Sequence, residues 1–170
     1  MKQKYLIVAV TSLLLLAIVA AMWVLSGNNL GDGVARSKTI TFMVDGEAIA
    51  TIDRDDLATM EYRTFPAVIR SNGRKPQTTR YTGVPLADLC QRLELDLNGK
   101  SQVVVKAIDG YITILTIEEL RQGRAYLAFQ MDGEDLKPIN EGGNGPFQLV
   151  LPDDPFSQRW CKYVYQVELK

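Results

Sequence analysis

The sequence predicts an α+β domain that is rich in strands, with antiparallel or mixed pairing, preceded by one hydrophobic helix. Three observations predict this class. Extended segments outnumber helical ones, the links between them are short Asp-Gly turns, and regular patterning begins only after an apolar stretch and a Gly- and Asn-rich segment. We therefore expect a cytoplasmic N-terminus with a membrane anchor (or signal peptide) over 1–25, a flexible tether over 26–38 and a folded domain over 39–170.

Residues 5–25 form an uncharged apolar stretch, which is long enough to cross the hydrocarbon of a bilayer at about 1.5 Å per residue. Lys2 and Lys4 precede it, so the N-terminus is expected to stay in the cytoplasm. The alternative is a cleaved signal peptide, whose apolar region is usually shorter, about 7–15 residues. Both interpretations place 26–170 outside the cytoplasm. We expect a single-pass protein of the cytoplasmic membrane, with its domain on the periplasmic side if the source is a Gram-negative bacterium.

Composition excludes several classes of function. Two of the 19 basic residues lie in 1–25, so residues 26–170 carry 17 basic and 20 acidic side chains, a net charge of −3. Such a domain lacks the basic footprint of a nucleic-acid-binding protein. The chain contains no histidine, which excludes serine–histidine triads, cysteine–histidine dyads and histidine-based zinc sites. The two cysteines are too few for a zinc finger, so a cofactor or carboxylates would have to carry any catalysis.

The first predicted element of the domain is a β-hairpin, because an Asp-Gly pair separates the extended segments 39–44 and 47–52. Asp53 is placed to cap a short helical turn that reaches Met60. The segment 61–71 is strand-like but contains Pro66, which favours an edge strand or a bend.

A loop over 71–76 and an extended segment over 77–81 follow. Pro85 suits the first turn of a helix whose apolar residues have the spacing i, i+3, i+4 and i+7. These residues are Leu86, Leu89, Cys90 and Leu93. Cys90 is therefore interpreted as a core residue.

A second Asp-Gly hairpin is predicted between 103–108 and 111–115. Thr116 and Glu119 have the spacing of a capping box, which predicts a helix that ends near Gly123. The remaining elements are a strand over 126–131, an irregular loop over 137–146, and closing strands over 147–151 and 163–169.

Five short motifs follow one another in a characteristic order. They are YTGVPL at 81–86, IDGY at 108–111, MDGEDL at 131–136, GPFQLVLP at 145–152 and RWCK at 159–162. In this order and spacing they resemble the sulfite-oxidase-type molybdopterin-binding domain, over about residues 61–170. The resemblance implies a β-rich, mixed-sheet sulfite-oxidase-like fold. It also makes the molybdenum cofactor a candidate ligand of the domain.

In enzymes of that family a cysteine thiolate coordinates molybdenum, and basic and backbone groups hold the pterin phosphate. The ligand cysteine lies upstream of the segment that matches 81–86. Here 65–74 contains no cysteine, and Ser71 is near the expected place. An alkoxide is a far poorer ligand than a thiolate for such a centre. Asn144 and Gln148 stand where the family often has a histidine and an arginine. We therefore expect no bound molybdenum, with molybdopterin or molybdenum cofactor binding as the alternative.

Two groups of residues are candidates for binding a cofactor or an anion, and no metal ligand or catalytic residue can be named. The first surrounds a loop and comprises Arg70, Ser71, Arg74, Lys75 and Arg80; the second comprises Arg159, Trp160 and Lys162. The competing interpretations are a solvated basic surface for the first group and a core position for Trp160.

Other residues near these groups leave further alternatives open. Asp153 and Asp154 could pair with Arg159. Cys161 is expected to be packed, with a disulfide to Cys90 as the alternative.

The sequence thus favours an extracytoplasmic, membrane-anchored ligand-binding or sensory module on a molybdopterin-oxidoreductase-like fold, with a small anion as its expected ligand. Two alternatives stay open. One is a molybdopterin-binding oxidoreductase or its subunit, and the other is a structural partner of a membrane redox or signalling protein.

Overall fold

The computed structural model describes residues 38–170. The predicted anchor and all of the tether except Lys38 lie outside the described residues. Within the described residues, no helix is both long enough and apolar enough to cross a membrane.

The described residues form ten short strands and three short α-helices. In chain order they are β1 (Thr39–Val44), β2 (Glu47–Asp53), α1 (Arg54–Ala58), β3 (Arg63–Ile69), β4 (Gln77–Pro85), α2 (Leu86–Arg92), β5 (Gln102–Ala107), β6 (Ile112–Thr116), α3 (Ile117–Arg121), β7 (Tyr126–Met131), β8 (Glu134–Asp135), β9 (Gln148–Val150) and β10 (Val164–Leu169). Two 3-10 helices, Ile139–Glu141 and Ser157–Arg159, lie in the loops before β9 and β10. The predicted β-rich α+β class is confirmed.

The strands form two sheets. The first has the order β2-β1-β10-β5-β6, in which β1 and β10 are parallel and the other neighbours are antiparallel. The second has the order β3-β4-β7-β8, with β9 also paired to β7, and all of its pairs are antiparallel. The mixed pairing is therefore confined to the first sheet.

Local signals in the sequence set the boundaries of these elements. Asp53 and Asp56 form a reciprocal capping box at α1, and Thr116 and Glu119 form another at α3. Pro66 lies in β3, at the edge of the second sheet, where a missing N–H breaks no central ladder. The predicted hairpins, caps and edge strand are confirmed.

One contiguous hydrophobic cluster contains residues of both sheets and all three helices. Its largest fully buried side chains include Phe42, Tyr81 and Phe147. Gly83 lets β4 pass close to β7, since a Cβ built there would lie 2.6 Å from the carbonyl oxygen of Leu127 and 2.7 Å from Cα of Ala128. The core therefore depends on backbone approach as well as on side-chain volume.

Candidate functional site

A cleft of about 280 Å³ opens between the loop that follows β3 and the segment that enters the second 3-10 helix. Its lining residues are Arg70, Ser71, Asn72, Gly73, Arg74, Pro76, Phe156 and Gln158. A larger cleft of about 640 Å³ lies beside α2, but it contains none of the predicted site residues. We therefore describe the smaller cleft as the candidate site.

A tight turn shapes one wall of the cleft. After β3 ends at Ile69, the N–H of Arg74 donates a 3.2 Å hydrogen bond to the carbonyl oxygen of Ser71. Gly73 has a φ of +74°, a conformation that glycine adopts without a Cβ penalty. The turn holds the start and the end of the loop close together, so that Arg70 and Arg74 both line the cleft.

Ser157 joins this wall to the other one. Its Oγ accepts a 2.8 Å hydrogen bond from the backbone N–H of Arg70 and donates one of 3.3 Å to the carbonyl oxygen of Val68. The bond fixes the 3-10 helix against the end of β3. Phe156, one residue earlier, remains 60% exposed, so an aromatic ring stands uncovered beside the two arginines.

The electrostatics of the cleft favour an anion. Arg70 and Arg74 form no ion pair with any other residue in 38–170. Their guanidinium groups are cations that present planar donors to carboxylate or phosphate oxygens. No carboxylate and no thiol is among the lining residues. The cleft can therefore bind an anion. Its lining offers no carboxylate or thiol that could act as a general acid or base.

The structure brings together only part of the first predicted group. Arg70, Ser71 and Arg74 line the cleft, whereas Lys75 and Arg80 do not. Arg80 is an exposed residue of β4 opposite Pro66, and its backbone exchanges hydrogen bonds with Asp132. Lys75 and Arg80 therefore lie outside this cleft, and a binding role for them stays a prediction.

The second predicted group lies outside the candidate cleft. Arg159 donates through Nε to Asp154 at 2.8 Å and through its NH2 nitrogen to Glu119 at 2.7 Å. These hydrogen bonds to Asp154 and Glu119 raise the pKa of Arg159, and the bond from Arg159 is the main reason that the pKa of Glu119 is lowered. The guanidinium is thus occupied by two carboxylates. The predicted pairing with Asp154 is confirmed, whereas a ligand-binding role for Arg159 stays a prediction.

Trp160 and Lys162 also lie outside the cleft. Trp160 is only 7% exposed, donates its indole N–H to the carbonyl oxygen of Leu151 at 2.9 Å, and packs edge-on against Tyr81. The core interpretation of Trp160 is therefore correct. Lys162 is exposed and makes no ion pair within the described part of the chain.

Sequence reasoning missed the wall formed by Phe156, Ser157 and Gln158. Phe156 was the one available signal, since it is a bulky aromatic residue in a polar loop that contains prolines. Such a ring is usually buried, so its presence in a polar loop is unusual. Nothing local to the sequence connects Ser157 with Arg70, from which it is 87 residues distant.

Gln148 occupies the position of the family's arginine, and it is buried. The side chain is 2% exposed, and its Oε1 has no hydrogen-bond partner in 38–170. It lies beside the Tyr81 hydroxyl: burial raises the pKa of Tyr81 to about 12, although hydrogen bonding with Gln148 opposes this increase. A neutral amide at this place cannot supply the charge that an arginine would offer to a phosphate.

The two cysteines do not suit a molybdenum ligand. Cys90 and Cys161 are fully buried free thiols, so the disulfide alternative is wrong and the core interpretation of both is confirmed. Burial raises the pKa of each thiol to about 12, which keeps them protonated, and neither lines the cleft. Within the described residues, no group of three or more histidine, cysteine or acidic side chains is arranged to hold a metal. The donor set of the cleft fits an anionic group and does not fit thiolate ligation of molybdenum.

These features agree with comparisons to known proteins. The two-sheet domain is of the molybdopterin-oxidoreductase type. The chain belongs to the family described as the oxidoreductase molybdopterin binding domain, whose model matches residues 32–170. The resemblance inferred from the five motifs is confirmed.

Among solved structures, the domain is similar to the sulfane dehydrogenase SoxCD from Paracoccus pantotrophus. The TM-score is 0.64 at 16% sequence identity, and the match covers 79% of this chain and 38% of that one. At this identity the likeness concerns the fold, and the chain spans well under half of the matched dehydrogenase. No curated protein sequence matches significantly.

Proposed function

We propose that the protein is a ligand-binding or sensory module, anchored to the membrane and extracytoplasmic, that binds a small anion without coordinating molybdenum through a protein thiolate. The observation that supports this most is the cleft itself, where two arginines without ion-pair partners face an exposed phenylalanine. The anchor in this proposal rests on the apolar stretch 5–25.

Binding is favoured over catalysis by the chemistry of the lining. The lining residues offer cations, amides and an aromatic ring, and they include no nucleophilic thiol or carboxylate. Phe156 and the arginines together suit an anion that carries a planar or apolar part, since guanidinium groups and aromatic rings both accept flat partners. A domain that binds without reacting is suited to reporting the presence of its ligand.

The test uses the full chain, solubilised in a mild detergent, with inorganic phosphate as the first probe in a thermal-shift titration. A ligand that binds only the folded state raises the melting temperature. We expect Arg74→Gln to weaken phosphate binding about tenfold or more, because a hydrogen bond to a charged group contributes about 1.5–3 kcal/mol. Arg80→Gln is the matched control, since it removes the same charge outside the cleft. Equal responses of the two variants, or no response of the wild type to phosphate or other small anions, would contradict the proposal.

The second candidate is a component of a molybdopterin-binding oxidoreductase, which is favoured by the family to which the chain belongs. Such a component would bind the pterin without a thiolate from the protein. Purification of the full chain from a cofactor-competent host, followed by metal analysis and pterin fluorescence, separates the two candidates. Stoichiometric molybdenum would favour the oxidoreductase. A purely structural partner of a membrane complex would bind neither phosphate nor pterin.

A further inference from the structure

Strand β6 differs from the other exposed strands that end the two sheets, β2, β3 and β8. Natural proteins protect such edges with charges, prolines or bulges. β2 contains Glu47 and Asp53, and its ladder with β1 has a register shift. β3 contains Arg63 and Pro66, and β8 consists of two acidic residues. β6 reads ITILT, with no charge, proline or bulge in its ladder with β5. Within the described residues, the outer edge of β6 therefore pairs with no other strand.

The open edge is apolar as well as unprotected. Ile112 and Ile114 are each 53% exposed on the outer side of β6, whereas Thr113 and Leu115 face the interior. The N–H of Ala107 bonds to the carbonyl oxygen of Tyr111, so by alternation the backbone groups of Ile112 and Ile114 point toward the free edge. In the described residues, the backbone groups of Ile112 and Ile114 make no hydrogen bond to any segment beyond the free edge.

Charges at both ends of this edge indicate what could pair with it. Asp109 precedes β6 and Glu118 follows it; both are exposed, and neither has an ion-pair partner in 38–170. The basic residue of the neighbouring strand β5, Lys106, is paired with Glu168. Two antiparallel copies of β6 would bring Asp109 of each near Glu118 of the other, which is repulsive. A strand with basic ends is complementary.

β6 and the turn that precedes it contact one wall of the cleft. Tyr111 donates its hydroxyl hydrogen to the carbonyl oxygen of Gln158, and Thr113 Oγ1 donates to that of Arg159 at 2.8 Å. Both acceptors belong to the 3-10 helix whose Ser157 binds the backbone of Arg70. The segment 157–159 is thus held on one side by β6 and its preceding turn, and on the other by the backbone of Val68 and Arg70.

We propose that β6 is the docking edge for an extended strand of a partner protein, with an apolar centre and basic residues at both ends. This strand and the ligand of the cleft each strengthen binding of the other through the segment 157–159. The second statement rests on the proposed function, and it would make the module a ligand-dependent binding partner. Main-chain hydrogen bonds would supply affinity, while Ile112, Ile114 and the flanking acids would select the partner.

The docking edge is tested with two labelled peptides, acetyl-KKTVTITVTKK-amide and the charge-reversed acetyl-EETVTITVTEE-amide, titrated against the full chain in detergent. We expect the basic peptide to bind with a micromolar Kd and the acidic one at least about tenfold more weakly. Ile114→Lys and, separately, Ile112→Lys should abolish binding with an unchanged melting temperature. Ile49→Lys, at an equally exposed position on the opposite edge, should leave the Kd within about twofold. No binding of the basic peptide up to about 1 mM, equal binding of both peptides, or binding retained in both Lys variants would overturn the docking edge.

The coupling is tested by repeating the basic-peptide titration in saturating phosphate. We expect the peptide Kd to tighten about fivefold, and phosphate affinity to rise by the same factor in saturating peptide. Tyr111→Phe, which removes the bond to Gln158, should reduce this factor to within about twofold of unity. An unchanged peptide Kd in phosphate would overturn the coupling. Peptide binding without phosphate binding would contradict the proposed function and the coupling but not the docking edge. Phosphate binding without peptide binding would contradict the docking edge and the coupling but not the proposed function.

Discussion

The backbone N–H of Arg70 donates a 2.8 Å hydrogen bond to Ser157 Oγ, across 87 residues of chain. The hydroxyl in turn donates to the carbonyl oxygen of Val68, so that one side chain satisfies two backbone groups at the end of β3. Because Phe156 and Gln158 adjoin Ser157, this contact sets the position of the wall that faces the arginines.

We expect Ser157→Ala to lower the free energy of unfolding by about 1–3 kcal/mol, since it leaves the part-buried N–H of Arg70 without its acceptor. Phosphate affinity should fall as well, because the wall loses its attachment. Ser71→Ala is the matched control: Ser71 lines the cleft, but its hydroxyl makes no hydrogen bond within the described residues, and the change should stay within about 0.5 kcal/mol. Urea denaturation measures both variants, and similar losses would contradict a special role for Ser157.

Gly83→Ala should destabilise the domain by about 1–3 kcal/mol or more, because the added methyl group would meet the backbone of β7 at 2.6 and 2.7 Å. Gly99→Ala provides the comparison, since its Cβ meets nothing within 4 Å and only the φ of +71° is unfavourable. It should cost about 1 kcal/mol. Thermal melts of both variants give the difference, and an equal loss would show that β4 and β7 can separate at little cost.

The charge of Glu119 should make stability depend on pH. The hydrogen bond from Arg159 and the one from the N–H of Thr116 lower its pKa, so the folded state binds fewer protons than the unfolded state. The stabilisation is therefore fully present above about pH 4.3, the ordinary pKa of glutamate, and is lost as the pH falls through the lower folded value.

Glu119→Gln retains an amide that can complete the capping box, so the variant isolates the charge. The wild type should exceed it by less than about 1 kcal/mol at pH 7, since the ion pair is partly exposed, and the difference should shrink toward pH 3. Urea midpoints measured across this range follow the difference. A difference that grows on acidification would contradict the assignment.

The two thiols should resist alkylation in the folded protein. With each pKa raised to about 12 by burial, only about one thiol in ten thousand is ionised at pH 8, and neither sulfur is accessible. Iodoacetamide should label neither Cys90 nor Cys161 until denaturant is added, when mass spectrometry should find both modified. Rapid labelling of either one under native conditions would reopen the question of a thiolate ligand.

Local chemistry in the sequence was sufficient to predict most elements. The Asp-Gly turns, the capping boxes at Asp53 and Thr116, and Pro66 each act within a few residues, so their consequences could be read directly. The division into two sheets could not, because it depends on pairing between distant segments. The position of β10 between β1 and β5 and the short strand β8 were therefore not predicted.

The site was predicted only in part, for the same reason. Arg70, Ser71 and Arg74 lie on one loop, and their proximity follows from the chain itself. Phe156 lies near these three residues only because the segment before β10 packs against their loop in the folded domain. Arg159 was predicted as a ligand-binding residue because its charge is visible in the sequence. Its hydrogen bond to Glu119 could not be predicted, because the two residues are 40 positions apart in the chain.

The pairing of β1 with β10 has a consequence for the order of folding. The hairpin β1–β2 joins the first sheet only through β10, which is the last strand of the domain to be synthesised. A nascent chain that has emerged only as far as β9 therefore holds two separate hairpins, β1–β2 and β5–β6, and lacks the strand that unites them. Contacts of such large sequence separation slow folding, and we expect the first sheet to close only after β10 has been synthesised.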